Sequence, residues 1–517
     1  MSSESSSYNS TSPVKLVTHA SPLAAMAQKP PSLDEHGRPK KRSKHNKHLF
    51  HEPAKEKIFN DSIHGHVAIH PVCIVLVDTP QFQRLRDLLQ VGPTYYVFPG
   101  ASHRRFAHCI GVSYLAGVFV DNLRKNQPGI NISPSDELCI KIAGLCHDLG
   151  HGPFSHTYDG KFVKILRGSE PGFDWAHEHA SAALLDHLLE SNNLMPTLEK
   201  YDLGPDDVHF IKELIFGSPA DAPKDWVWKG RGKDKDFLYE IVANHRNGID
   251  VDKFDYFARD CKHLGIPTSF DAHRLMRFAR VLKGPDGKTQ IAYHEKEAWN
   301  IYELFHTRYN LHKRAYQHRV AHAVEAMLVD ALVAANEAIA LTTDSGEVVR
   351  MSHAMDHMDV YTDFTDSIFK RIEWEAKSNP KLVTAKKILA QVKRRELYSF
   401  IGETLLASGG KGEADAIILT SLISRCNSEE EKRMFQEIMF VNRVKINYGM
   451  GNKNPVDHVL FYLRNDNDTG GYLSKDQVSC FIPEFFEESY IRFYIKSRDP
   501  VHCRRAKELF RAWREAE

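Results

Sequence analysis

Apolar and polar residues alternate through "EKIFNDSIHGHVAIH" (56–70), a period of two that predicts short β-strands. The pattern turns helical in "DTPQFQRLRDLLQVG" (78–92). There Asp78 or Thr79 can cap, Pro80 suits the first turn, and Phe82, Leu85, Leu88 and Leu89 share one face. Residues 109–123 and 136–150 predict two more helices, and in the second Leu138, Ile142, Leu145 and Leu149 form a single stripe. Long helical patterns recur at 179–192, 297–340 and 384–406, and strand-like runs come late, at 438–448 and 456–464. Polar segments at 229–236, 344–359 and 464–477 read as loops or insertions, and no internal repeat is visible. The expected fold is mainly α, with a helical core and a smaller mixed α/β region towards the C-terminus.

Length and composition set the frame. A chain of 517 residues can hold one large core or two to three domains of roughly 100–200 residues. Residues 1–50 are Ser-rich, polar and of low complexity, so they read as a disordered tail. The tail ends in the basic run "RPKKRSKHNKH" (38–48), which reads as a solvated linker, a nuclear-import address or a nucleic-acid contact. A nuclear location, with a cytoplasmic share, is the expectation drawn from it. "SPVK" (12–15) suits a proline-directed, cell-cycle-type kinase acting at Ser12. Net charge is +1, so affinity for phosphate or nucleic acid must come from local patches. No apolar run approaching the ~18 residues of a membrane span stands out, and the N-terminus lacks the apolar core of a secretory signal. None of the eight cysteines forms a C-x-x-C pair, which argues against a thiolate zinc site or a disulfide framework and for a reducing compartment.

The candidate chemistry is concentrated in "LCHDLGHGPFSH" (145–156). Two imidazoles and a carboxylate, His147, Asp148 and His151, fall within five positions, and His156 follows. Gly150 and Gly152 are expected to end the preceding helix, and Pro153 to force the exit, so that His151 and His156 project from a loop. Two His and one Asp do not complete a hydrolytic metal site. His108 heads a long apolar helix, and "NGIDVDKFDYFARD" (247–260) supplies Asp250, Asp252, Asp255 and Asp260 beside Lys253, Tyr256 and Arg259. Asp252 can share a helix face with Asp255 and Tyr256. Hard carboxylates with imidazoles suit Fe, Mn or Zn, which would activate water near neutral pH.

The set His108, His147–Asp148 and Asp252 resembles the ligand pattern of the HD-domain phosphohydrolases. Longer segments, "DTPQFQRLRDLLQVGPTYYVFPGASHRRFAHCIGVSYLAG", "LCHDLGHGPFSHTYDG", "NGIDVDKFDYFARDCKHLGI" and "LFHTRYNLHKRAYQHRV", are similar to one branch of it, the SAM-and-HD-domain deoxynucleoside triphosphate triphosphohydrolases. The resemblance covers roughly residues 50–500. It implies an HD-domain hydrolase core over 51–400 and a C-terminal α/β lobe over 401–517 that supports oligomerisation. It also implies cleavage of a dNTP at the α-phosphorus into deoxynucleoside and inorganic triphosphate.

Carried onto this sequence, the resemblance makes His108, His147, Asp148 and Asp252 the metal ligands and His156 the acid at the leaving 5′-oxygen. His177 and Glu178 would support that proton, and His151 would contact the α-phosphate. Arg105, Lys253, Tyr256 and Arg308 would hold the triphosphate, with Mg2+ accompanying it. Gln90 and Asp260 would flank the sugar 3′-hydroxyl, Tyr316 would exclude a 2′-hydroxyl, and Gln317 would line the base region. Val91 stands where the family tends to have leucine. Activation by GTP or dGTP and by dNTPs, through homotetramer assembly, is also implied. The matching positions are Lys57, Ile58, Asp78, Gln83 and Arg86 for a guanine site. For a second site they are Asn60, Val97, Phe98, Arg274, Lys296, Arg314, His318, Arg319 and Arg395. Ser399 stands where the family usually has lysine, so weaker effector binding or a changed salt dependence of assembly is expected. The residues before Lys57 are too few and too polar for a SAM domain, and the family's C-terminal regulatory tail is expected to be absent. Control of the dNTP pool and restriction of viral replication are the roles this implies. Two other readings stay open: an HD phosphohydrolase acting on other nucleotides, and a protein whose main role is binding nucleic acid, single strands included.

Overall fold

The computed structural model describes residues 55–173, 175–217, 228–406, 415–479 and 481–516. The 1–50 tail, its basic run at 38–48 and Ser12 lie outside the described residues. The alternating segment forms a hairpin, β1 (Lys57–Asp61) against β2 (Gly65–Ile69), antiparallel with Asp61 opposite Gly65. After α1 (Pro71–Val77), Thr79 caps α2 (Pro80–Gln83), its hydroxyl accepting from the Phe82 amide. This helix is shorter than its pattern: a 3-10 turn follows over Arg84–Asp87 and the backbone is extended at Leu88. Phe82, Leu85, Leu88 and Leu89 are nonetheless all buried.

The centre is α3 (Arg105–Asn126) packed on α4 (Pro134–Cys146). Ser133 caps α4 in a reciprocal box with Asp136, and Pro134 occupies the first helical position, where its missing N–H removes no bond. By length and composition α3 could cross a bilayer, which the sequence reading did not anticipate. It is a core helix instead, 72% buried within the chain over its most apolar window. Around this pair lie α5 (His177–Ser191) and α6 (Val251–Leu264). Asp250 caps α6 by accepting from the Lys253 amide, and Gly265, left-handed at φ 66°, ends it. Strands β3 (Ala279–Lys283) and β4 (Thr289–His294) precede α7 (Ala298–Leu311) and α8 (Arg319–Ala335). The single long helix expected over 297–340 is thus broken, by a π-helical turn at His312–Tyr316.

The pattern at 384–406 divides in the same way. Helix α9 (Val383–Lys393) ends before Arg395, left-handed at φ 60°, and Ser399–Leu406 is strand β5. Pairing overrides the helical pattern: β6 (Met439–Asn447) and β9 (Glu487–Ile495) complete an antiparallel sheet in the order β5-β9-β6. Between them β7 (Leu460–Leu463) runs parallel to β4 and pairs with β8 (Asp466–Gly471), so part of the expected 464–477 loop is a strand. Short 3-10 helices also form at Lys233–Glu240, which overlaps the end of the expected 229–236 loop, and at Met351–Asp356, within the expected 344–359 loop. Helix α10 (Pro500–Arg514) covers the three-stranded sheet.

That sheet has its own core, with Ile401, Leu422, Phe435, Ile491, Phe493, Leu509 and Trp513 buried together. The segment between β6 and β9 does not join it: Tyr448, Val456, Val459, Phe461 and Phe486 are buried in the main helical core. The C-terminal lobe is therefore drawn from two separated stretches. The seven described cysteines are all free, and Cys73, Cys109, Cys139, Cys146 and Cys261 are buried.

One buried carboxylate, at the end of the 3-10 helix Lys233–Glu240, ties strand β4 to the loop that leads into α6. Glu240 accepts from the Ile291 amide of β4 at 2.9 Å and from Arg246 at 2.8 Å. Burial raises it to about 7 against a neighbouring arginine that works the other way. From the ordinary 4.5 up to that value the native chain binds more protons than the unfolded one. Stability should fall with rising pH across that window and level off outside it. Glu240→Gln should flatten the slope by about 3 kcal/mol, visible as thermal midpoints that converge with the parent's at low pH and diverge by about pH 7.5.

Candidate active site

Three donors converge from three elements. His108 Nε2 on α3 lies 3.0 Å from Asp252 Oδ1 on α6 and 3.2 Å from His147 Nε2 at the end of α4; His147 Nε2 is 3.3 Å from the same Asp252 oxygen. Ligands bound at ~2.1 Å around one ion stand about 3.0–3.4 Å apart, so these edges fit a transition metal. Asp148 offers a different oxygen to each histidine, both at 3.5 Å, and its Oδ2 is also ion-paired with Arg105. The tight set is therefore His108, His147 and Asp252, with Asp148 beside it. The electrostatics are those of a cation site. Burial opposes charge on His108, yet its hydrogen bonds to Asp252 and Asp255, which accept, lift it to about 10. Burial alone would raise Asp252, but His108 and His147 hold it well below the usual carboxylate range.

The ring nitrogens are aimed by partners behind them. His147 Nδ1 lies 2.9 Å from the Gly144 carbonyl, and His108 Nδ1 lies 2.7 Å from Asp255 Oδ2. Gly111 permits the second contact: a Cβ there would stand 1.9 Å from Asp255 Oδ1, so α3 and α6 could not approach.

The loop after α4 is not turned by its glycines. The helix ends at Cys146, and neither Gly150 nor Gly152 is left-handed. Gly150 gives room instead, because a Cβ would meet the His177 carbonyl at 2.2 Å. The turn comes from Phe154 and Ser155, consecutive non-glycine residues at φ 55° and 54°. Such backbone is held by its surroundings. The Phe154 amide donates to Asp366 Oδ1 at 2.7 Å, and the Leu89 amide donates to Oδ2 at 2.9 Å. Ser155 Oγ donates to the Leu89 carbonyl and accepts from Arg105 Nε. His156 then begins a helical segment that continues through a π-turn at Tyr158–Phe162.

His151 is fully engaged. Nδ1 lies 2.6 Å from Asp159 Oδ2, Nε2 lies 3.4 Å from Asp148, and the ring stacks on His177 at 3.9 Å. Burial, Arg105 and His177 push its imidazole well below the ordinary value, while burial pushes Asp159 up. The His156 ring opens into the cleft, 6.0 Å from the His177 ring in an edge-on arrangement rather than a hydrogen bond. Desolvation deep in the cleft, then His177 and Arg105, lower His156 to about 3. Water reaching the exposed ring softens that desolvation, but the direction stands, and the imidazole is neutral at pH 7. His177 Nδ1 is 3.3 Å from Glu178 Oε2.

A cleft of about 750 Å³ joins these groups. Every residue expected at the substrate lines it: Gln90, Val91, Arg105, His151, His156, Lys253, Tyr256, Asp260, Arg308, Tyr316 and Gln317. Lys253 pairs with Asp250 at 2.8 Å, and Asp250, Tyr256 and Asp252 hold it protonated against burial. Asp260 is anchored by His103 Nε2 at 2.6 Å and accepts from the Tyr316 hydroxyl. Among the described residues, four buried side-chain atoms of the cleft lack hydrogen-bond partners: Gln90 Oε1, Thr157 Oγ1, Arg308 Nε and His312 Nδ1. Buried polar atoms are rarely left so, and these await a ligand. The sequence reading missed His312, Asp159 and Asp366. Asp159, three residues after His156, carried the only local signal.

The expected effector residues fall into separate groups. Lys57, Ile58 and Asn60 are on β1. Asp78 closes α1, near Gln83 and Arg86, which hydrogen-bond to each other. Phe98, one residue after Val97, packs on His318 at 6.1 Å between ring centres, and Arg395 donates to the Tyr96 carbonyl. Arg274 and Lys296 both lie over the Phe278 ring. Arg314 falls in the π-turn and Arg319, at the start of α8, lies over Phe400. Ser399 donates to the Ser497 carbonyl at 3.0 Å.

Comparison with known proteins decides the family. The HD domain family matches residues 105–260, a stretch that contains all four candidate ligands. Deoxynucleoside triphosphate triphosphohydrolase SAMHD1 of Bos taurus is 46% identical over 464 residues, 88% of this chain and 78% of the relative. The chain belongs to the SAMHD1 family. The SAMHD1 protein of Homo sapiens is 45% identical, covering 88% of this chain and 73% of its own. The SAMHD1 homolog of Dictyostelium discoideum is 38% identical over 88% of this chain and 80% of its own. The likeness to SAMHD1 proteins thus spans the helical core and the C-terminal lobe, not the HD segment alone.

Proposed function

We propose that the chain hydrolyses deoxynucleoside triphosphates to deoxynucleoside and inorganic triphosphate. One observation carries this: Arg105, Lys253 and Arg308 line the same cleft as His108, Asp148 and Asp252 of the cation site. A triphosphate bears about four negative charges, and a cationic clamp beside a metal is what binds it and stabilises charge as the bond breaks. His108, His147 and Asp252, with Asp148, would hold one transition metal (Fe, Mn or Zn), with Mg2+ on the nucleotide. When bound, the metal supplies Lewis acidity and makes water a stronger acid.

The residues do the rest. Arg308 Nε and His312 Nδ1 gain partners from the phosphates, and Gln90 Oε1 from the sugar. His151, fixed by Asp159, faces the α-phosphate. His156 donates to the leaving 5′-oxygen. It is neutral in the open cleft, and an adjacent polyanion raises its affinity for the proton it must give. Tyr316, tied to Asp260, closes the space of a 2′-hydroxyl, so dGTP should outpace GTP by at least about tenfold, roughly 1.4 kcal/mol in the barrier, despite Val91. Equal rates would end the exclusion role.

Effector control belongs to the same reading: GTP or dGTP at one site, a dNTP at another, and a homotetramer as the active form. The separate grouping of the effector residues supports it, because sites so divided can be completed by another copy. So does a second cavity of about 610 Å³, edged by exposed Trp299, Leu405, Phe481 and Phe485. Such an apolar surface suits a protein partner. By draining the dNTP pool, the enzyme would limit any polymerase that draws on it, viral ones included.

Product analysis tests the reading. Free triphosphate from dGTP alone, and from dATP only when GTP is added, with a rise in mass, is the expected result. Phosphate or monophosphate would point to another HD phosphohydrolase, and no turnover with tight single-strand binding to a nucleic-acid role.

A further inference from the structure

We infer that the β1–β2 hairpin is a strut of the metal centre, with His64 and Asp255 as positioning residues that link the hairpin to the ligand His108. The inference rests on the reading of the triad as a metal site, and not on which nucleotide is cleaved.

The link is a closed network of buried side chains. Asp61, the last residue of β1, uses Oδ1 to accept from the amides of Ile63 and His64, at 2.8 and 2.9 Å, and so shapes the hairpin turn. Its other oxygen accepts from Arg259 Nη1 at 3.0 Å. The turn presents His64, whose Nε2 lies 2.7 Å from Asp255 Oδ1. Arg259 donates to both oxygens of Asp255 at 2.8 Å. Asp255 Oδ2 receives His108 Nδ1 at 2.7 Å, and the opposite nitrogen of that ring faces the metal position. Side-chain exposure is 5% for His64, 5% for Asp61, 1% for Arg259, 0% for Asp255 and 1% for His108, so water cannot replace any of these bonds.

Asp255 is thus a carboxylate behind a ligating histidine, the arrangement that fixes ring orientation and raises ligand basicity. What differs here is where its second anchor comes from. His64 is far away in sequence and stands on the turn of the hairpin whose first strand carries Lys57, Ile58 and Asn60. On the effector reading proposed above, a nucleotide held by that strand would bear on Asp61 and His64, and through them on Asp255. Hairpin seating and metal retention are therefore two readings of one equilibrium, and coupling must run both ways.

Two experiments test this on the full chain. In the first, hydrogen exchange of residues 57–69 is followed in the parent protein with metal and after chelation. Faster exchange of the hairpin amides on chelation is expected; unchanged exchange there overturns the link. In the second, metal release into excess chelator is timed for His64→Leu, His64→Gln and His66→Ala. Loss of the carboxylate behind a ligating histidine typically weakens metal binding by about 10–100-fold; His64 steadies that carboxylate from one step further out, so His64→Leu should release metal faster by about the lower end of that range, roughly tenfold. His64→Gln, which can still donate to Asp255, should recover most of the difference, and His66→Ala, on the exposed side of β2, should match the parent. His64→Leu matching the parent overturns the proposal. Should His64→Leu fail to fold, the exchange experiment decides alone. A parent protein that never holds metal would instead refute the metal reading, a result distinct from either.

Discussion

Asp252→Asn should empty the metal centre and lower turnover of dGTP by at least about 10³-fold, as expected when a group worth several kcal/mol of transition-state stabilisation is lost. Asp252 is the only donor of the tight triad that carries negative charge, and one of its oxygens faces both His108 and His147. The amide keeps the size and removes the charge. It also loosens the histidines, since hydrogen bonding to Asp252 is the largest influence that lifts His108 against burial. The helix should survive, because its cap belongs to Asp250 and the Asp252 side chain is 31% exposed. Metal analysis and kcat, read beside an unchanged helical CD spectrum, check the prediction. Full metal content with the parent's turnover would mean that the ion, if any, sits elsewhere.

His156→Asn should lower kcat on natural dNTPs by about 10²–10⁴-fold while leaving KM nearly unchanged, the usual contribution of a positioned general acid. The effect should depend on the leaving group. A deoxyribose 5′-alkoxide needs a proton and a nitrophenolate does not, so the variant should fall within about tenfold of the parent on nitrophenyl triphosphate. The pH profile gives a second sign. His156 is held below the ordinary imidazole value in the open cleft, so its protonated form belongs to the substrate complex. The loss of rate at high pH should accordingly appear in kcat and vanish in the variant. Equal losses on both substrates would remove His156 from the proton's path.

Much of this site is legible along the chain because it is locally dense. His147, Asp148, His151 and His156 announce themselves by spacing, and the α6 acidic run does the same for Asp252. The pieces that sequence reading misses are those whose role exists only across long separations. Asp366 clamps Phe154 and Leu89 from more than two hundred residues away. His64 reaches Asp255 from nearly as far. Nothing in the neighbourhood of either residue shows a partner. The turn at Phe154–Ser155 was hidden for another reason. Left-handed backbone is expected at glycine, and the adjacent glycines drew the expectation to themselves, although Gly150 serves helix approach instead. In the fold, the helices of the core followed from their stripes. Strand β5 did not, because "SFIGETLL" continues a helical pattern and becomes a strand only through its partner β9.

That partner has a consequence for how the chain is made. In the three-stranded sheet β9 is the central strand, with β5 on one side and β6 on the other. It is also the last of the three to be synthesised. As the chain emerges from a ribosome, β5 and β6 have no strand to pair with until Glu487–Ile495 appears, on the order of ten seconds after Leu406 at ordinary translation rates. Strand β5 waits that long, and β6 roughly half as long, beside an unformed core. This C-terminal sheet is therefore the stretch most exposed to mispairing with neighbouring chains on a polysome, and the one for which a nascent-chain chaperone would matter most.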